Sequence, residues 1–318
     1  MKKKKNRHSK PRHRGKNKRF DGVLLSGDSI ADIKLLEEAA DRGDPAAWYN
    51  LGIKSLLGLG GPKNPAEAEK WLRLAAEGGL GLAQYELGRL LLKGLGKPQD
   101  DQEAIKWLRL AAEGGVSAAS FLLGLAFLEG EGAPRDIAEG AKWVRLAAED
   151  GLPIAQYQFG TLFQTGSGVP QDDAQAAHWY RLAAEQGFPD AQYNLGTMYK
   201  DGEGVPEDLS LAQEWYLKAA GQGHTLAQFN LGVMNRDGHG APQDYVQAAK
   251  WFRQAAAGGL NIAKTNLGFL HLHGLGVPED VDEAEKWLRL AAEGGDAGAM
   301  LMLAMIGVKD YIDPEDPG

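Results

Sequence analysis

Residues 100–115 read DDQEAIKWLRLAAEGG, and variants of this stretch recur along most of the chain. Its tryptophan, Trp107, is one of seven that follow each other at a fixed step of 36 residues. Only Trp48, the eighth tryptophan, lies outside the series. A fixed period of this size is the signature of a repeat architecture, in which each copy forms one structural unit. The in-phase tryptophans are Trp71, Trp107, Trp143, Trp179, Trp215, Trp251 and Trp287.

Three other sets of residues keep the same 36-residue step. Single glycines recur from Gly52 to Gly268, prolines from Pro62 to Pro278, and alanine pairs from Ala75-Ala76 onward. No residue is inserted or deleted across the seven copies, numbered here repeats 1 to 7. Because stacked repeats must present the same faces to their neighbours, this uniformity predicts a stacked array.

Each repeat is predicted to form two helices, an A helix and then a B helix. In repeat 5 the A helix spans about residues 189–200, and Gly202 suits a left-handed helix end. Pro206 prevents the helix from continuing, and Asp208 is an N-cap residue for the B helix. A Glu or Gln three residues after the N-cap completes a capping box in six repeats. Leu211 breaks that pattern, so the B helix of repeat 5 is expected to have the weakest start.

The glycine in the middle of each A helix needs a physical reason. Glycine inside a helix costs about 0.8–1.0 kcal/mol relative to alanine. We therefore expect the B helix to approach closely there, with the in-phase tryptophan indole packing over the gap. Arg and Glu also recur four residues apart on the B helices, as in Arg109 and Glu113. These residues form either charge ladders between neighbouring repeats or a solvated face.

The repeat phase predicts five segments. Ala39-Ala40 and Leu35 occupy the positions of an alanine pair and a tryptophan, so the first repeat is preceded by half a repeat. The predicted segments are a disordered basic tail (1–20), an N-terminal half-repeat cap (21–43), seven repeats (44–297), a C-terminal capping helix (298–309) and an acidic frayed tail (310–318).

The composition excludes several classes of protein. The 318 residues include no cysteine, which rules out disulfides, thiolate metal sites and a cysteine nucleophile and fits a reducing compartment. No run of 18 apolar residues could span a membrane, and the N-terminus lacks the apolar segment of a secretory signal. We expect a cytoplasmic monomer without a transmembrane segment.

Charge is distributed unevenly between the tail and the rest of the chain. Residues 1–20 hold 11 of the 35 Lys and Arg residues and none of the 43 Asp and Glu residues. The tail aids solubility, binds the acidic remainder of its own chain, or binds a polyanion such as nucleic acid or a membrane surface. Binding to nucleic acid would be weak and independent of sequence. The candidate polyanion-binding residues are Lys2, Lys3, Lys4, Lys5, Arg7, Lys10, Arg12, Arg14, Lys16, Lys18 and Arg19.

The repeat unit resembles a known family. Residues 191–223 follow the pattern A-x-Y-x-L-G-x(5)-G-x-G-V-P-x-D-x(3)-A-x(2)-W-Y-x(2)-A-A-x(2)-G, which is similar to the Sel1-like, tetratricopeptide-like repeat. The resemblance implies an all-α fold, a right-handed α-solenoid of antiparallel helix pairs, and a scaffold or adaptor role in assembling protein complexes. Some secreted members carry a disulfide in each repeat, and this chain departs from that branch because it has no cysteine.

No catalytic motif accompanies the repeats. The chain lacks phosphate-binding, zinc-protease and serine-hydrolase signatures, so we expect no enzymatic activity, no catalytic residue, no metal and no cofactor. His271 and His273 lie about 200° apart around a helix, which is unsuitable for a shared metal. The histidines are interpreted as scattered surface residues.

Asparagines on the A helices are the best candidates for binding. They immediately precede Leu-Gly, and the resemblance implies that A helices line a concave groove. An amide offers two donors and an acceptor and suits an extended peptide backbone, although it could instead stabilise the repeat. The candidate partner-binding residues are Asn50, Asn194, Asn230, Asn266, Thr197, Asp201, Asp237, Phe269 and His273.

Overall fold

The computed structural model describes residues 30–95 and 100–309. Within these ranges the chain forms 16 helices and no strand, and consecutive helices pack against each other within each of its two compact units. The predicted all-α helical repeat fold is therefore confirmed. The predicted basic tail at residues 1–20 and acidic tail at residues 310–318 lie outside the described residues.

The chain divides into two compact units, Met1–Pro98 and Gln99–Gly318. Residues 30–95, the described part of the first unit, form four helices, and the first two pack around Ala40, Ala47 and Leu51. Even-numbered helices are A helices and odd-numbered helices are B helices. The helices of this unit are α1 (Ile30–Asp41), α2 (Pro45–Leu57), α3 (Pro65–Glu77) and α4 (Gly81–Leu92).

The second unit holds twelve helices, each packed on the next along the chain. Its core is a series of similar clusters, each built from the alanines of one B helix and the large apolar residues of the following A helix. The helices are α5 (Asp101–Glu113), α6 (Ser117–Glu129), α7 (Ile137–Glu149), α8 (Pro153–Thr165), α9 (Asp173–Glu185), α10 (Pro189–Asp201), α11 (Leu209–Gly221), α12 (Thr225–Asp237), α13 (Tyr245–Ala257), α14 (Asn261–Leu272), α15 (Val281–Glu293) and α16 (Ala297–Lys309).

The B helices begin at the predicted N-cap residues. Asp208 accepts a hydrogen bond of 2.9 Å from the backbone N–H of Leu211, so repeat 5 keeps this cap although it lacks the acidic residue. The backbone N–H of Asp208 donates to the backbone oxygen of Tyr199 at 2.9 Å, as that of Asp172 does to Phe163 at 3.0 Å in repeat 4. The N–H that a capping box would satisfy is therefore bonded to the preceding A helix, and the structure shows no weaker cap in repeat 5. The same cap forms at Asn64, Asp100, Asp136, Asp172, Asp244 and Asp280.

Two glycines in the loop after each A helix have different roles. Gly202 ends α10 with a φ of 70°, the left-handed conformation predicted for a helix end. Gly168, the second loop glycine of repeat 4, has a φ of 74°. A Cβ at Gly168 would lie 2.5 Å from the backbone oxygen of Ile137, the first residue of the preceding B helix. The second glycine therefore lets the loop touch the preceding repeat.

The glycine inside the A helix is contacted by the residue after the tryptophan. A Cβ at Gly196 would lie 2.8 Å from Cδ1 of Tyr216, which is fully buried. The close approach of the B helix is as expected, but the prediction that the indole covers this gap is wrong. Trp215 is only partly buried and packs on the cluster formed by α9 and α10. The tryptophans thus connect each B helix to the preceding repeat.

Contacts between repeats are made by amides and aromatic rings. Gln192 of repeat 5 donates to the backbone oxygen of Ala184 at 3.0 Å, and Gln222 of repeat 5 donates to that of Gly187 at 3.0 Å, both in repeat 4. The guanidinium of Arg109 lies over the rings of Phe127 and Trp143, both in the next repeat. This cation–π contact stands where the sequence suggested a charge ladder or a solvated face.

Candidate functional site

Seven of the nine candidate binding residues lie on the A helices of repeats 5, 6 and 7, and an eighth, His273, is the C-cap of α14. We call this surface the A-helix face; it is the side of α10, α12 and α14 that bears Asn194, Asn230 and Asn266, together with the corresponding sides of α8 and α16. On α10, Asn194, Thr197 and Asp201 share one side because they are spaced by three and four residues. The ninth residue, Asn50, lies half-buried on α2 of the first unit.

A buried tyrosine reaches the A-helix face beneath each asparagine of repeats 5 and 6. Burial raises the pKa of Tyr216 to about 12, and interactions with Thr197 and Asn230 partly offset that rise. The Tyr216 hydroxyl lies 3.0 Å from the Thr197 hydroxyl. Asn230, in the following repeat, therefore contributes to a contact between repeats as well as to the surface.

The same arrangement occurs one repeat earlier. The Tyr180 hydroxyl lies 3.1 Å from the Thr161 hydroxyl and donates to the Gln164 side chain at 2.8 Å. Burial raises the pKa of Tyr180, and the side chains of Thr161 and Asn194 lower it in part. The A-helix face over repeats 4 and 5 thus presents uncharged hydroxyl and amide groups in its interior.

Asn266 has different partners from the other two asparagines. Its Oδ1 accepts from Nη1 of Arg236 at 2.6 Å, and its Nδ2 donates to the backbone oxygen of Ile262 at 2.8 Å. The guanidinium of Arg236 also donates to both carboxylate oxygens of Asp237, at 2.7 and 2.9 Å. These hydrogen bonds lower the pKa of Asp237. One arginine therefore joins two of the predicted residues.

Two equivalent clefts lie between successive A helices. Cleft 5–6, between repeats 5 and 6, has a volume of about 440 Å³, and cleft 6–7, between repeats 6 and 7, about 460 Å³. Each has a cation and an aspartate at its rim, an asparagine, and apolar residues. Cleft 5–6 is lined by Lys200, Asp201, Leu209, Asn230, Val233 and His239, and the residues 36 positions later, Arg236, Asp237, Tyr245, Asn266, Phe269 and Leu275, line cleft 6–7.

The clefts bring together five predicted residues and add others. Asp201 meets Asn230 in cleft 5–6, whereas Asp237, Asn266 and Phe269 meet in cleft 6–7. The residues that sequence reasoning missed are the rim cations and the floor residues contributed by the loops and B helices. The 36-residue step could have indicated these residues. Lys200 and Arg236 occupy one repeat position, and Leu209 and Tyr245 occupy another.

The two histidines of α14 and its cap have different surroundings. His273 is exposed, and its ring centroid lies 4.5 Å from that of Phe269. His271 is buried, so the interpretation of the histidines as surface residues is wrong for this one. His224 is half-buried and caps α12 by accepting from the backbone N–H of Ala227. The exposure of each of these histidines therefore depends on how its helix end packs against the neighbouring residues.

The described residues form neither a metal site nor a membrane-spanning helix. Within residues 30–95 and 100–309, no group of three or more His, Asp or Glu side chains is placed to hold a metal ion. No helix in the same ranges is long and apolar enough to cross a membrane. The candidate polyanion-binding residues of the tail lie outside the described part of the chain.

Comparison with known proteins identifies the family. The model of the Sel1 repeat matches residues 45–80, 81–116, 117–152, 153–188, 189–224, 225–260 and 262–296. The chain therefore belongs to the Sel1 repeat family, as the resemblance of residues 191–223 predicted. Proteins of this family are generally modules for protein–protein interaction. No curated protein sequence matches the chain significantly.

Two solved structures support the assignment. The first is c5321, a protective antigen present in uropathogenic Escherichia coli strains, with 36% identity and a TM-score of 0.84. The match covers 86% of this chain, and the chain spans 59% of that protein. The second is a Sel1 repeat protein from Oxalobacter formigenes, with 36% identity, a TM-score of 0.71, and coverage of 91% of this chain and 84% of that one.

Proposed function

We propose that this protein is a non-enzymatic scaffold or adaptor that binds partner polypeptides along the A-helix face of repeats 5 to 7. The observation that carries the proposal is the recurrence of one cleft, with corresponding lining residues, in successive repeats. A polypeptide repeats its backbone amides along its length, so it can make similar contacts in both clefts. Sel1 repeat proteins are generally protein–protein interaction modules, which supports the proposed binding of partner polypeptides.

The chemistry of the clefts also favours a polypeptide. Their rim charges are paired within the protein, as in the 3.2 Å contact between Lys200 and Asp201. Apolar side chains such as Val233 and Leu209 lie beside an asparagine amide. This combination of an apolar surface with a few hydrogen-bonding groups suits peptide side chains and the backbone between them.

Two further predictions accompany this proposal. We propose a cytoplasmic location because the sequence has no cysteine. We also propose that the protein is a monomer, as expected from the sequence. The alternative function, binding of nucleic acid, depends on the basic residues of the tail, and the A-helix face offers no observation in its favour. We therefore propose the polypeptide-binding role as the main function and treat the tail separately.

Capture experiments with matched variants test the proposal. The double variant Asp201→Arg and Val233→Arg places two long cationic side chains in cleft 5–6, and Glu149→Arg is the control because Glu149 is exposed on a B helix. We expect wild type and the control to retain the same partner proteins from a cell lysate, identified by mass spectrometry, and the cleft variant to lose them. Retention of the same set by all three proteins would overturn the proposal.

A further inference from the structure

The A-helix face changes from polar to apolar between repeat 4 and α16, whereas in repeat 3 the same position is the apolar Leu125. At one repeat position, 36 residues apart, the chain carries Thr161, Thr197, Val233, Phe269 and Met305 in turn. The two threonines hydrogen-bond the buried tyrosine hydroxyls. From repeat 6 onward the position is apolar, and the side chain has no such hydroxyl to offer.

A second repeat position shows the same change. Asn194, Asn230 and Asn266 occupy it in repeats 5 to 7, and Met302 of α16 follows at the next step. Met302 lines cleft 6–7 together with Phe269 and Leu275. At α16 this repeat position therefore carries the thioether of Met302 instead of an asparagine amide.

The apolar part of this surface is accessible to solvent. Phe269 is 37% exposed, Leu301 65% and Met305 64%. With Leu275 and Met302 these residues form what we call the apolar patch. Met305 lies three residues after Met302 and four after Leu301, so the three side chains share one side of α16. Exposed apolar patches of this kind mark interaction surfaces.

The charges next to the apolar patch are already paired. Arg236 donates to both oxygens of Asp237 and to Asn266, so all three side chains have partners within the protein. A charged residue of a ligand would lose its hydration in cleft 6–7 without gaining a free ion partner. An aliphatic or aromatic side chain has no charge whose hydration is lost, and its binding would cover exposed apolar surface.

We infer that the partner polypeptide binds in one direction, with an apolar anchor of one or two aliphatic or aromatic side chains on the apolar patch and an uncharged segment over repeats 4 and 5. This inference rests on the proposed function and adds the chemistry and polarity of the partner. The occupant is a partner polypeptide; a second copy of this chain is the competing occupant that the experiment distinguishes.

The test uses phage-displayed random peptides selected on the full-length protein. Peptides enriched by wild type should carry an apolar cluster near one end. The double variant Phe269→Ser and Met305→Ser should weaken binding of these peptides by about tenfold or more, as expected for the loss of a central apolar anchor. Leu290→Ser is the matched control, because Leu290 is 47% exposed on the B helix α15. Circular dichroism checks that all variants are folded.

Each outcome decides between the alternatives. Equal binding of the enriched peptides to wild type and the double variant overturns the anchor, and sensitivity to Asp201→Arg with Val233→Arg would then still support the proposed function. If neither double variant affects binding, both the anchor and the proposed function fail. If sedimentation shows that wild type self-associates and that Phe269→Ser with Met305→Ser makes it monomeric without affecting peptide binding, a second copy occupies the patch and the inference is wrong.

Discussion

At the scale of single residues, the glycine of the A helix lies directly against a buried side chain of the B helix in the same repeat. A Cβ at Gly196 would lie 2.8 Å from the Tyr216 ring and 3.2 Å from the backbone oxygen of Ala212. We expect Gly196→Ala to lower the free energy of unfolding by about 1–3 kcal/mol, because overpacking outweighs the better helix propensity of alanine.

Gly221 provides the control for this prediction. It is the last residue of α11, and an added Cβ would meet nothing within 4 Å. Gly221→Ala should therefore be neutral or slightly stabilising. Denaturant unfolding of both variants makes the comparison, and a Gly196→Ala protein at least as stable as Gly221→Ala would show that the close approach is unimportant.

The buried hydroxyl of Tyr216 gives a pH-dependent prediction. Burial raises its pKa from 10.0 to about 12, so the unfolded state releases this proton at lower pH than the folded state. The resulting contribution is complete below about pH 10 and is lost as the pH rises towards 12. Tyr216→Phe should cost about 1 kcal/mol at neutral pH, because the hydrogen bond between the Tyr216 and Thr197 hydroxyls is lost.

The pH profile separates this effect from simple packing. Stability of Tyr216→Phe should fall less steeply than that of wild type over the same alkaline range, since phenylalanine has no proton to release. The measurement is denaturant unfolding at a series of pH values. Parallel profiles for the two proteins would contradict the assigned role of the hydroxyl.

At the scale of helices, the tryptophans join each B helix to the repeat before it. The ring centroid of Trp179 on α9 lies 5.0 Å from that of Phe159, and its indole packs on the cluster of α7 and α8. Trp179→Ala should lower stability by about 3 kcal/mol, near the lower end for buried aromatics, because the indole is only partly buried. Glu185→Ala, an exposed change on the same helix, is the control; equal melting temperatures of the two variants would refute the prediction.

The helices and caps followed from the sequence more readily than the packing. The N-cap at Asp208 and the left-handed Gly202 are set by local chemistry, so their positions could be read from single residues. Trp215 and Tyr216 are adjacent and point in directions about 100° apart on a helix. The 36-residue period applies equally to both, so it could not tell which one faces Gly196.

The candidate site was predictable only in part for a related reason. Asn194, Thr197 and Asp201 lie on one side of a helix, as helical spacing requires. The partner of Asn266 is Arg236, 30 residues earlier in the chain, and its hydrogen bond depends on how α12 and α14 pack. Such contacts between repeats follow from tertiary structure, which residue spacing within one helix does not encode.

At the scale of the whole molecule, the basic tail and the acidic remainder of the chain suggest a separate activity. Residues 1–20 hold 11 basic residues and no acidic one. We predict weak, sequence-independent binding to RNA or DNA that falls steeply with salt, because phosphate contacts release counterions. Titration of nucleic acid with full-length protein and a variant lacking residues 1–20, at two salt concentrations, measures it. Equal binding by both proteins would leave the tail as a solubility element.

The central claim is that partner polypeptides bind on the A-helix face. Because the sequence has no cysteine, a single introduced cysteine can carry a photo-cross-linker at one chosen position. Asp201→Cys places it at cleft 5–6, and Glu149→Cys places it on an exposed B-helix position. Cross-linking to partners captured from a lysate should give adducts from Asp201→Cys and none from Glu149→Cys. Adducts from Glu149→Cys alone would contradict the account.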